Sequence, residues 1–386
     1  MRRYPDRIRA LLPVSLLLAI AGLATAADAA TLQVGWGKKF LMPSIAAKYA
    51  RDGDIIEIDA GIYPQDAATW KQSNLIIRGV GGKAHLKADG KHAEGKGIWV
   101  IRGNNVTIEN IEFSGARVRD RNGAGLRVEG AGLTIRSCHF HDNQNGILTG
   151  ANKTSDILIE NSEFAHNGAG DGRTHNMYIG AVRSFTLKNS YSHHANIGHT
   201  VKSRARNNYI LYNRIMDEED GNSSYNIDIS NGGVAYVIGN LIQQGQNTEN
   251  SGIISYGAEG LQGESNELYL VNNTVVNERA QGGEFVFVKP GAGTVRILNN
   301  LFIGKGRIQA AGGEESHNLH GDRHELLSAS TYNYHLKPNA QAVNAGMEPG
   351  SANDFSLRPT EQYLHKASSE PRPQAGALDV VADELP

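Results

Sequence analysis

The chain of 386 residues has a single cysteine, Cys138. No disulfide can form within one chain that has a single thiol, so its stability has to come from packing. The formal net charge is only −2, with 38 basic and 40 acidic side chains. Binding through the phosphate backbone of a nucleic acid requires a concentrated basic face, so this balance argues against a nucleic-acid partner.

Long apolar runs are also lacking after the first thirty residues. Before that point, four arginines between positions 2 and 9 precede an apolar stretch from Leu11 to Leu23, and small residues follow. This order is typical of a secretory signal peptide, which we assign to residues 1–29, with cleavage after Ala26 or a few residues later. Because no later stretch approaches the roughly 20 apolar residues of a spanning helix, we expect a periplasmic or secreted monomer without a membrane partner.

What the sequence does contain is a repeat. A short segment of alternating apolar residues that ends in Asn or Ser returns at steps of about 24 to 28 residues, with one longer step before Asn272. Val106-Thr107-Ile108-Glu109-Asn110 is the clearest copy, and later copies end at Ser137, Asn161, Asn189, Asn213, Asn240, Asn272 and Asn299. A strand-like period inside a repeat of this length is typical of one solenoid coil.

A second apolar strand follows within each coil, for example at Gly97–Val100 and Gly146–Thr149. The 45 glycines suit the tight corners that such coils require. An Asn at one fixed corner predicts a ladder of hydrogen-bonded side-chain amides along the axis, formed by Asn110, Asn161, Asn189, Asn213 and Asn240. The sequence therefore predicts an all-β, parallel β-helix.

The opening of the chain predicts a cap for the solenoid. Residues 40–51 have the pattern of a short amphipathic helix with Phe40, Ile45, Ala46 and Tyr49 on one face, followed by the strand Gly53–Ile58. This opening, the turn Ala60-Gly61-Ile62-Tyr63 and the later segments Leu75–Gly79, Tyr334–Leu336 and Ala342–Gly346 resemble the pectin-lyase-like β-helix superfamily.

The resemblance implies a right-handed parallel β-helix with an N-terminal capping helix over residues 30–303. Residues 304–386 lose the repeat, and we expect them to pack irregularly on the β-helix. Lyases, hydrolases, epimerases and non-catalytic adhesins share this scaffold, so the resemblance specifies the fold more closely than the reaction.

Residues at one position of successive coils stack about 4.8 Å apart, so the repeat converts distance in sequence into neighbourhood in space. One alignment of the second strands places Tyr178 beside Thr200 and Asn226. The separations of 24 and 26 residues instead make Tyr178, Lys202 and Asp228 direct neighbours. Either way, three consecutive coils share one polar outward face.

Ionisable side chains concentrate in these coils, which makes them the predicted site. The predicted catalytic residues are Tyr178, His199, Lys202 and Arg204, and the predicted substrate-binding residues are His175, Asn176, His194, Asn226 and Asp228. We expect outward side chains on a solenoid to contribute little to stability.

Cleavage of a uronate by β-elimination needs a group that neutralises the carboxylate, a base and a proton donor. Arg204 could neutralise the carboxylate, Lys202 or His199 could be the base, and Tyr178 could give the proton. The resemblance supports this assignment, because β-helix polysaccharide lyases carry Lys, Arg, His and Tyr on an outward face. The predicted function is therefore a lyase acting on an acidic, uronate-containing polysaccharide substrate.

Structural roles compete with these assignments. Lys202 and Asp228 could form a simple cross-strand ion pair. Strict alternation points His199 inward, where it would be a buried histidine unless a bulge turned it outward.

The sequence leaves a metal cofactor open. The acidic run Asp217–Asp220 could ligate Ca²⁺, or it could be a solvated loop. His175, His193, His194 and His199 lack the fixed spacing of a zinc motif.

Other functions on the same scaffold remain as alternatives. Hydrolysis needs convergent carboxylates, of which only Asp228 is well placed, and a C5-epimerase would share the proton abstraction of a lyase. A non-catalytic carbohydrate-binding or surface protein would instead present aromatic platforms, for which Tyr212, Tyr256 and Tyr269 are the candidates. The density of His, Lys, Arg and Tyr favours catalysis.

Overall fold

The computed structural model describes Met1, residues 29–374 and residues 376–385. The predicted signal peptide therefore lies almost entirely outside the described residues. In the part of the chain that is described, no helix has the length and apolar character needed to cross a membrane.

The fold is a parallel β-helix, as predicted. Each typical coil contributes three short strands, one more than the two that the repeat reveals, and the stacked coils form three faces. We call these the first, second and third face, in the order in which the chain passes through them. Two long strands, Ile55–Pro64 and Ile76–Lys87, run through both the first and the second face and join them into one sheet.

The strands of the three faces pair in parallel with their equivalents in the next coil. Besides the two long strands, the first face contains Thr31–Val34, Val106–Glu109, Leu133–Arg136, Asp156–Glu160, Ser184–Lys188, Asn207–Leu211, Val234–Ile238, Glu267–Val271, Val295–Leu298 and Glu314–Ser316. The second face contains Ile111–Ser114, His139–His141, Glu163–Ala165, Tyr191–His193, Arg214–Met216, Leu241–Gln244, Thr274–Asn277, Leu301–Ile303 and Leu319–Gly321. The third face contains Ala68–Trp70, Gly97–Ile101, Ala124–Val128, Asn145–Thr149, Met177–Ile179, Val201–Ser203, Ile227–Ile229, Gly252–Tyr256, Glu284–Val288 and Arg307–Gln309.

The core fills the space between the faces with stacked apolar side chains. Phe113, Phe140 and Phe164 come from successive coils of the second face, and their ring centroids lie 5.0 and 4.9 Å apart. These distances match the spacing of paired strands, so each coil repeats the packing of the one before. The inward row of the third face is likewise fully buried, for example at Met177, Val201 and Ile227.

The predicted asparagine corner consists of two adjacent positions rather than one, so the single ladder was wrong. Asn161 and Asn189 occupy an outer position with positive φ, where Gly239 replaces Asn in a later coil. Asn213 and Asn240 lie one residue further on, fully buried, and the Asn213 amide donates to Asn240 at 3.0 Å. The ladder continues through the buried Asn273 and Asn300 to the partly buried Asn318. Asparagine suits both positions because it tolerates left-handed backbone and also carries an amide donor and acceptor.

The N-terminal cap is much shorter than predicted. The only α-helix in the described residues is the single turn Pro43–Ala46, and Tyr49, predicted for its buried face, is 65% exposed. Phe40 precedes the helix and instead forms a bridge with Val34 in the first strand. Pro43 suits the start of the helix, because a backbone N–H at the first helical position has no acceptor within the helix and proline has no N–H. After Ala46, hydrogen bonds to the third preceding residue tighten the chain, and Gly53 ends the segment.

The C-terminal part extends the solenoid before it leaves it. Strands at Arg307–Gln309, Glu314–Ser316 and Leu319–Gly321 continue all three faces beyond residue 303. The following residues form short antiparallel pairs, Leu326–Ser328 with Asn333–Leu336, Ser351–Ala352 with Phe355–Ser356, and Glu361–Leu364 with Ser368–Pro371, together with 3₁₀ turns at Arg323–Glu325 and Ala329–Thr331. This segment packs back over the later coils, where Leu336 and Tyr363 join a buried cluster with Met216 and Leu241 of the second face.

Candidate functional site

One outward row of the third face carries the candidate site. In register from coil to coil, it consists of Thr69, Val100, Arg127, Leu148, Tyr178, Lys202, Asp228, Ser255, Phe287 and Gln309. Tyr178 is therefore paired with Lys202, and Lys202 with Asp228, as the residue separations predict. The alternative alignment of Tyr178 with Thr200 and Asn226 is wrong, because the coil that leads from Tyr178 to Lys202 is two residues longer than that alignment assumed.

Lys202 lies at the centre of this row and is largely buried. Its side chain is 8% exposed, and its ammonium group donates to Asp228 Oδ2 at 2.8 Å and to Glu259 Oε1 at 2.9 Å. Burial lowers the pKa of Lys202, but the two carboxylates outweigh burial and hold it above its ordinary value. Lys202 is the counter-charge of a buried Asp228, so we now expect its removal to cost more stability than an ordinary outward substitution.

Glu259 is a site residue that the sequence analysis missed. It lies in a loop between the third-face strand Gly252–Tyr256 and the first-face strand Glu267–Val271, and its side chain is 43% exposed. The loop lengthens this coil, and the longer step before Asn272 was the signal that could have located it. Glu259 uses its second carboxylate oxygen to accept a hydrogen bond from Arg204.

Arg204 links the two ends of the site. Its Nε–H donates to the Tyr178 hydroxyl oxygen at 2.6 Å, and one terminal nitrogen donates to Asn231 at 2.8 Å. A second terminal nitrogen donates to Glu259. Because an arginine donor occupies a lone pair of the Tyr178 oxygen, the phenolic hydrogen is free to point towards a ligand.

His199 faces the site rather than the core. Its Nε2 lies 3.6 Å from Asp228 Oδ2, and its ring stacks on His175 with centroids 4.6 Å apart. Burial, followed by the positive charge of Lys202, lowers the pKa of His199 to about 3, so the ring is neutral at physiological pH. His199 Nδ1 accepts the backbone N–H of Tyr225, which leaves the ring hydrogen on Nε2.

The predicted substrate-binding residues separate into two groups. His175 and Asp228 lie beside the catalytic candidates. Asn176 and Asn226 are completely buried at corners, where their amides donate to the backbone carbonyls of His193 and Gln243. These two amides hold coils together and do not face a substrate.

His194 lies apart from this site as well. It follows the second-face strand Tyr191–His193 and contacts His193 and Asp220. The four histidines considered for a transition metal therefore form two separate pairs. His175 and His199 lie on the third face, whereas His193 and His194 lie at the second face.

The acidic run does not converge on one point. Asp217 is fully buried and accepts the backbone N–H of Ser223, whereas Glu218 accepts the Tyr191 hydroxyl and Asp220 contacts His194. The run therefore lacks the shared arrangement of oxygens that a Ca²⁺ ion requires.

The three tyrosines considered as aromatic platforms are not exposed. Tyr212, Tyr256 and Tyr269 are each buried to at least nine-tenths, so they cannot stack against a sugar at the surface.

A cavity of about 270 Å³ opens beside Arg204. Four basic side chains contribute to its lining, Lys153, Arg183, Arg204 and Arg206, together with the amides of Asn231 and Gln262. Arg183 is paired with Asp156 and Arg206 with Glu264. The cavity can therefore bind an anionic group beside Arg204.

Comparisons with known proteins bear on the fold. Residues 60–242 match the family model described as right handed beta helix region. No curated protein sequence matches the chain.

Two solved structures are similar in architecture. The crystal structure of pectate lyase Pel9A aligns with a TM-score of 0.57 at 13% sequence identity, over 88% of this chain and 90% of that chain. ORF18 of Geobacillus virus E2 aligns with a TM-score of 0.41 at 15% identity, over 72% of this chain and 56% of that chain. The likeness to pectate lyase Pel9A shows the fold alone, so the chain is a parallel β-helix whose residues 60–242 are similar to the right handed beta helix region family model.

Proposed function

We propose that the chain is a polysaccharide-active enzyme, specifically a lyase that cleaves a uronate-containing polysaccharide by β-elimination outside the cytoplasm. The observation that carries this proposal is the position of Glu259. Its carboxylate bridges Lys202 and Arg204 from a loop, and it is the most exposed member of this charged group. A uronate has the same carboxylate group, so a uronate that displaces Glu259 and pairs with Arg204 finds this guanidinium group already in place and leaves Lys202 with Asp228 as its remaining carboxylate partner.

In this proposal Arg204 binds and neutralises the uronate carboxylate. The α-proton of a uronate becomes acidic enough to remove only when the charge that develops on the carboxylate is stabilised. Arg204 is suited to this task because Tyr178 and Asn231 hold its guanidinium group in a fixed orientation. Its planar fork can also contact both carboxylate oxygens.

Lys202 is the proposed base. In the resting site it carries its proton, because Asp228 and Glu259 both raise its pKa. Displacement of Glu259 removes one of these two carboxylates and so favours loss of the proton. His199 is less suited to the role, since its Nδ1 already accepts a hydrogen bond and its Nε2 carries the ring hydrogen. We assign His199 a positioning role beside Asp228.

Tyr178 is the proposed proton donor to the leaving oxygen. It lies next to Lys202 in the same outward row, and its hydroxyl oxygen is fixed by Arg204. Donor and base then stand on adjacent coils, about 4.8 Å apart at the backbone, on one side of the bound sugar. Proton transfer by groups placed in this way contributes roughly 10²- to 10⁴-fold to a rate.

The test is incubation of the purified protein with acidic polysaccharides such as polygalacturonate, alginate and hyaluronan. A lyase generates a new C=C bond in its product, and the expected result is rising ultraviolet absorbance with one of these polymers. A neutral polymer such as starch is the control and should give no signal. Absence of both absorbance and new reducing ends with every acidic polymer would contradict the proposal.

A glycoside hydrolase is the second candidate, because the structure adds Glu259 to the one carboxylate that the sequence places there. Asp228 and Glu259 accept hydrogen bonds from the same Lys202 ammonium group, so they are close enough to serve as a pair. This reaction would release reducing ends without ultraviolet absorbance. The same incubation therefore separates the two candidates.

A further inference from the structure

A second polar surface lies on the early coils of the second face and the corner that follows it. Six of the 14 histidines of the chain belong to it, His85, His139, His141, His166, His193 and His194. Carboxylates lie between them, with Glu112 paired with His85 and His139, and Glu163 paired with His139 in the next coil. Neither the proposed lyase chemistry nor the core packing uses these side chains.

Three of these side chains meet at one point. His141 Nε2 lies 3.0 Å from Glu112 Oε1, and His85 Nδ1 lies 3.4 Å from the same oxygen. The three donor atoms all lie within 4.8 Å of one another. They come from three successive coils, so the register of the second face fixes their relative positions.

These separations fit a metal ion. Imidazole nitrogen and carboxylate oxygen bind Zn²⁺ at about 2.0–2.2 Å, usually in tetrahedral geometry. Ligand atoms at that distance from a common tetrahedral centre are about 3.3–3.6 Å apart. The observed distances to Glu112 are close to this range before any ion is present.

In both histidines, the ring nitrogen that does not face Glu112 also lies within hydrogen-bond distance of a neighbouring side chain. His85 Nε2 lies 2.7 Å from Ser114 Oγ, and His141 Nδ1 lies 2.7 Å from Asp142 Oδ2. Ligating histidines commonly have such a partner on the other nitrogen, which orients the ring and raises its basicity as a ligand. At His141 the arrangement also poses a charge problem, because both ring nitrogens face carboxylate oxygens. A neutral ring can donate to only one of them, and a metal ion bound between Nε2 and Glu112 would leave the ring hydrogen on Nδ1 for Asp142.

We propose that His85, Glu112 and His141 form a binding site for one divalent transition-metal ion of the Zn²⁺ class. Two imidazoles and one carboxylate suit such ions and do not suit Ca²⁺, which prefers oxygen ligands. The three side chains are 18%, 23% and 20% exposed, so an ion can reach them. Three protein ligands leave a fourth position open to solvent.

The neighbouring pair His193 and His194 is joined by a hydrogen bond and does not have the spacing of two ligands of one metal ion. His193 Nδ1 and His194 Nδ1 are 2.6 Å apart, which is a hydrogen-bond length and shorter than two ligands of one ion require. Their Nε2 atoms contact Glu163 and Asp220. One shared proton satisfies this pair, so we assign the metal ion to the trio that contains Glu112.

The test begins with the full-length protein after treatment with a chelator and dialysis. Titration with Zn²⁺, followed by calorimetry, is expected to show one tight site that excess Ca²⁺ does not block. Glu112→Gln keeps the shape of the side chain and should weaken binding by more than about 100-fold, whereas Asp142→Asn should weaken it by about 10- to 100-fold. His324→Asn, at a side chain that is 94% exposed, is the matched control and should bind as the unaltered protein does.

A crystal grown with Zn²⁺ provides a second measurement that needs no variant. The anomalous difference map should contain a peak about 2.0–2.2 Å from His85 Nδ1, Glu112 Oε1 and His141 Nε2. Lack of Zn²⁺ binding by the unaltered protein, equal binding by Glu112→Gln, or a peak only at His193 and His194 would each overturn the proposal.

Discussion

The third and second faces compensate their charges in different ways. On the third face, part of the compensation comes from Glu259, which belongs to a loop and is 43% exposed. On the second face, Glu112 lies in a strand between two others that carry His85 and His141. A loop carboxylate can leave without disturbing the sheet, whereas a strand carboxylate cannot. The first arrangement therefore suits an organic anion that exchanges, and the second suits a small ion held by preformed ligands.

The second face also changes character along its own length. In the early coils its outward positions carry Glu112, His139 and Glu163, and they are partly exposed. In the later coils the equivalent row carries Leu241 and Leu301, which lie buried beneath the C-terminal segment. On this face, the polarity of the outward row thus indicates whether the C-terminal segment covers it, and the uncovered, charged coils are where ligands have access.

The largest expected effect is on turnover at the third face. Tyr178→Phe should lower kcat by roughly 10²- to 10⁴-fold, because it removes the proposed proton donor. The thermal unfolding midpoint should stay nearly unchanged, since Tyr178 is only partly buried. Steady-state kinetics on the polymer identified by the absorbance assay, together with thermal denaturation, measures both quantities.

The matched control for this variant is Tyr49→Phe, at an exposed tyrosine in the N-terminal cap. It should leave both turnover and unfolding unchanged. Unaltered turnover in Tyr178→Phe would show that the third face is not the catalytic surface. The proposed division between a catalytic third face and an ion-binding second face would then be wrong.

The next effect is on stability. Lys202→Met removes the counter-charge of Asp228, which is 3% exposed, and loss of one partner from a buried pair costs about 3–5 kcal/mol. The double variant Lys202→Met with Asp228→Asn should recover most of this loss, because no unpaired charge remains. Chemical denaturation of the three proteins gives the free energies of unfolding. Equal stability of Lys202→Met and the unaltered protein would mean that Asp228 is not buried as charged.

The protein should lose stability in acid, because each of the two faces contains a histidine whose pKa is lowered by burial. Burial lowers the pKa of His199 to about 3 and that of His139 to about 4, in spite of the nearby carboxylates of Glu163 and Glu112 at His139. Between these values and the ordinary value of about 6.5, the unfolded chain binds more protons than the folded one. Stability should therefore be full above about pH 6.5 and fall below it, by up to about 1.4 kcal/mol per pH unit for each histidine.

Denaturation at pH 7 and pH 5 measures this loss. Replacement of His199 by Asn should reduce the difference on the third face, and replacement of His139 by Asn should reduce it on the second. A difference that neither replacement changes would show that other groups dominate acid sensitivity.

The sequence predicted the solenoid because strand period and repeat length are local patterns. It predicted the neighbourhood of Tyr178, Lys202 and Asp228 for the same reason, since residue separations fix the register. It could not distinguish the two asparagine positions, because Asn189 and Asn213 satisfy different requirements with the same side chain. Only the structure shows that one has positive φ and the other belongs to a buried amide ladder.

Contacts made by loops and corners were beyond the sequence. Glu259 reaches Lys202 from a position 57 residues later in the chain, and no repeat equivalent exists for it. The direction of the His199 side chain was ambiguous in the sequence. His199 lies at the corner before the strand Val201–Ser203, where side chains no longer alternate between inward and outward positions. The cluster of His85, Glu112 and His141 was missed for a different reason, since its members occupy two different outward positions of the coil and follow no single register row.

The smallest effect is also the sharpest test of the difference between a loop carboxylate and a strand carboxylate. Glu259→Gln removes the charge that a uronate has to displace, so KM should fall by about tenfold, in keeping with the loss of one charge-assisted contact. The same change removes a group that raises the pKa of Lys202, so the rise of the rate with pH should shift to lower pH. Glu284→Gln, on the third face but outside this cavity and paired with the exposed Arg307, is the matched control and should alter neither quantity. If turnover instead falls by roughly 10²-fold or more, Glu259 is itself a catalytic carboxylate, and hydrolysis rather than elimination explains the site.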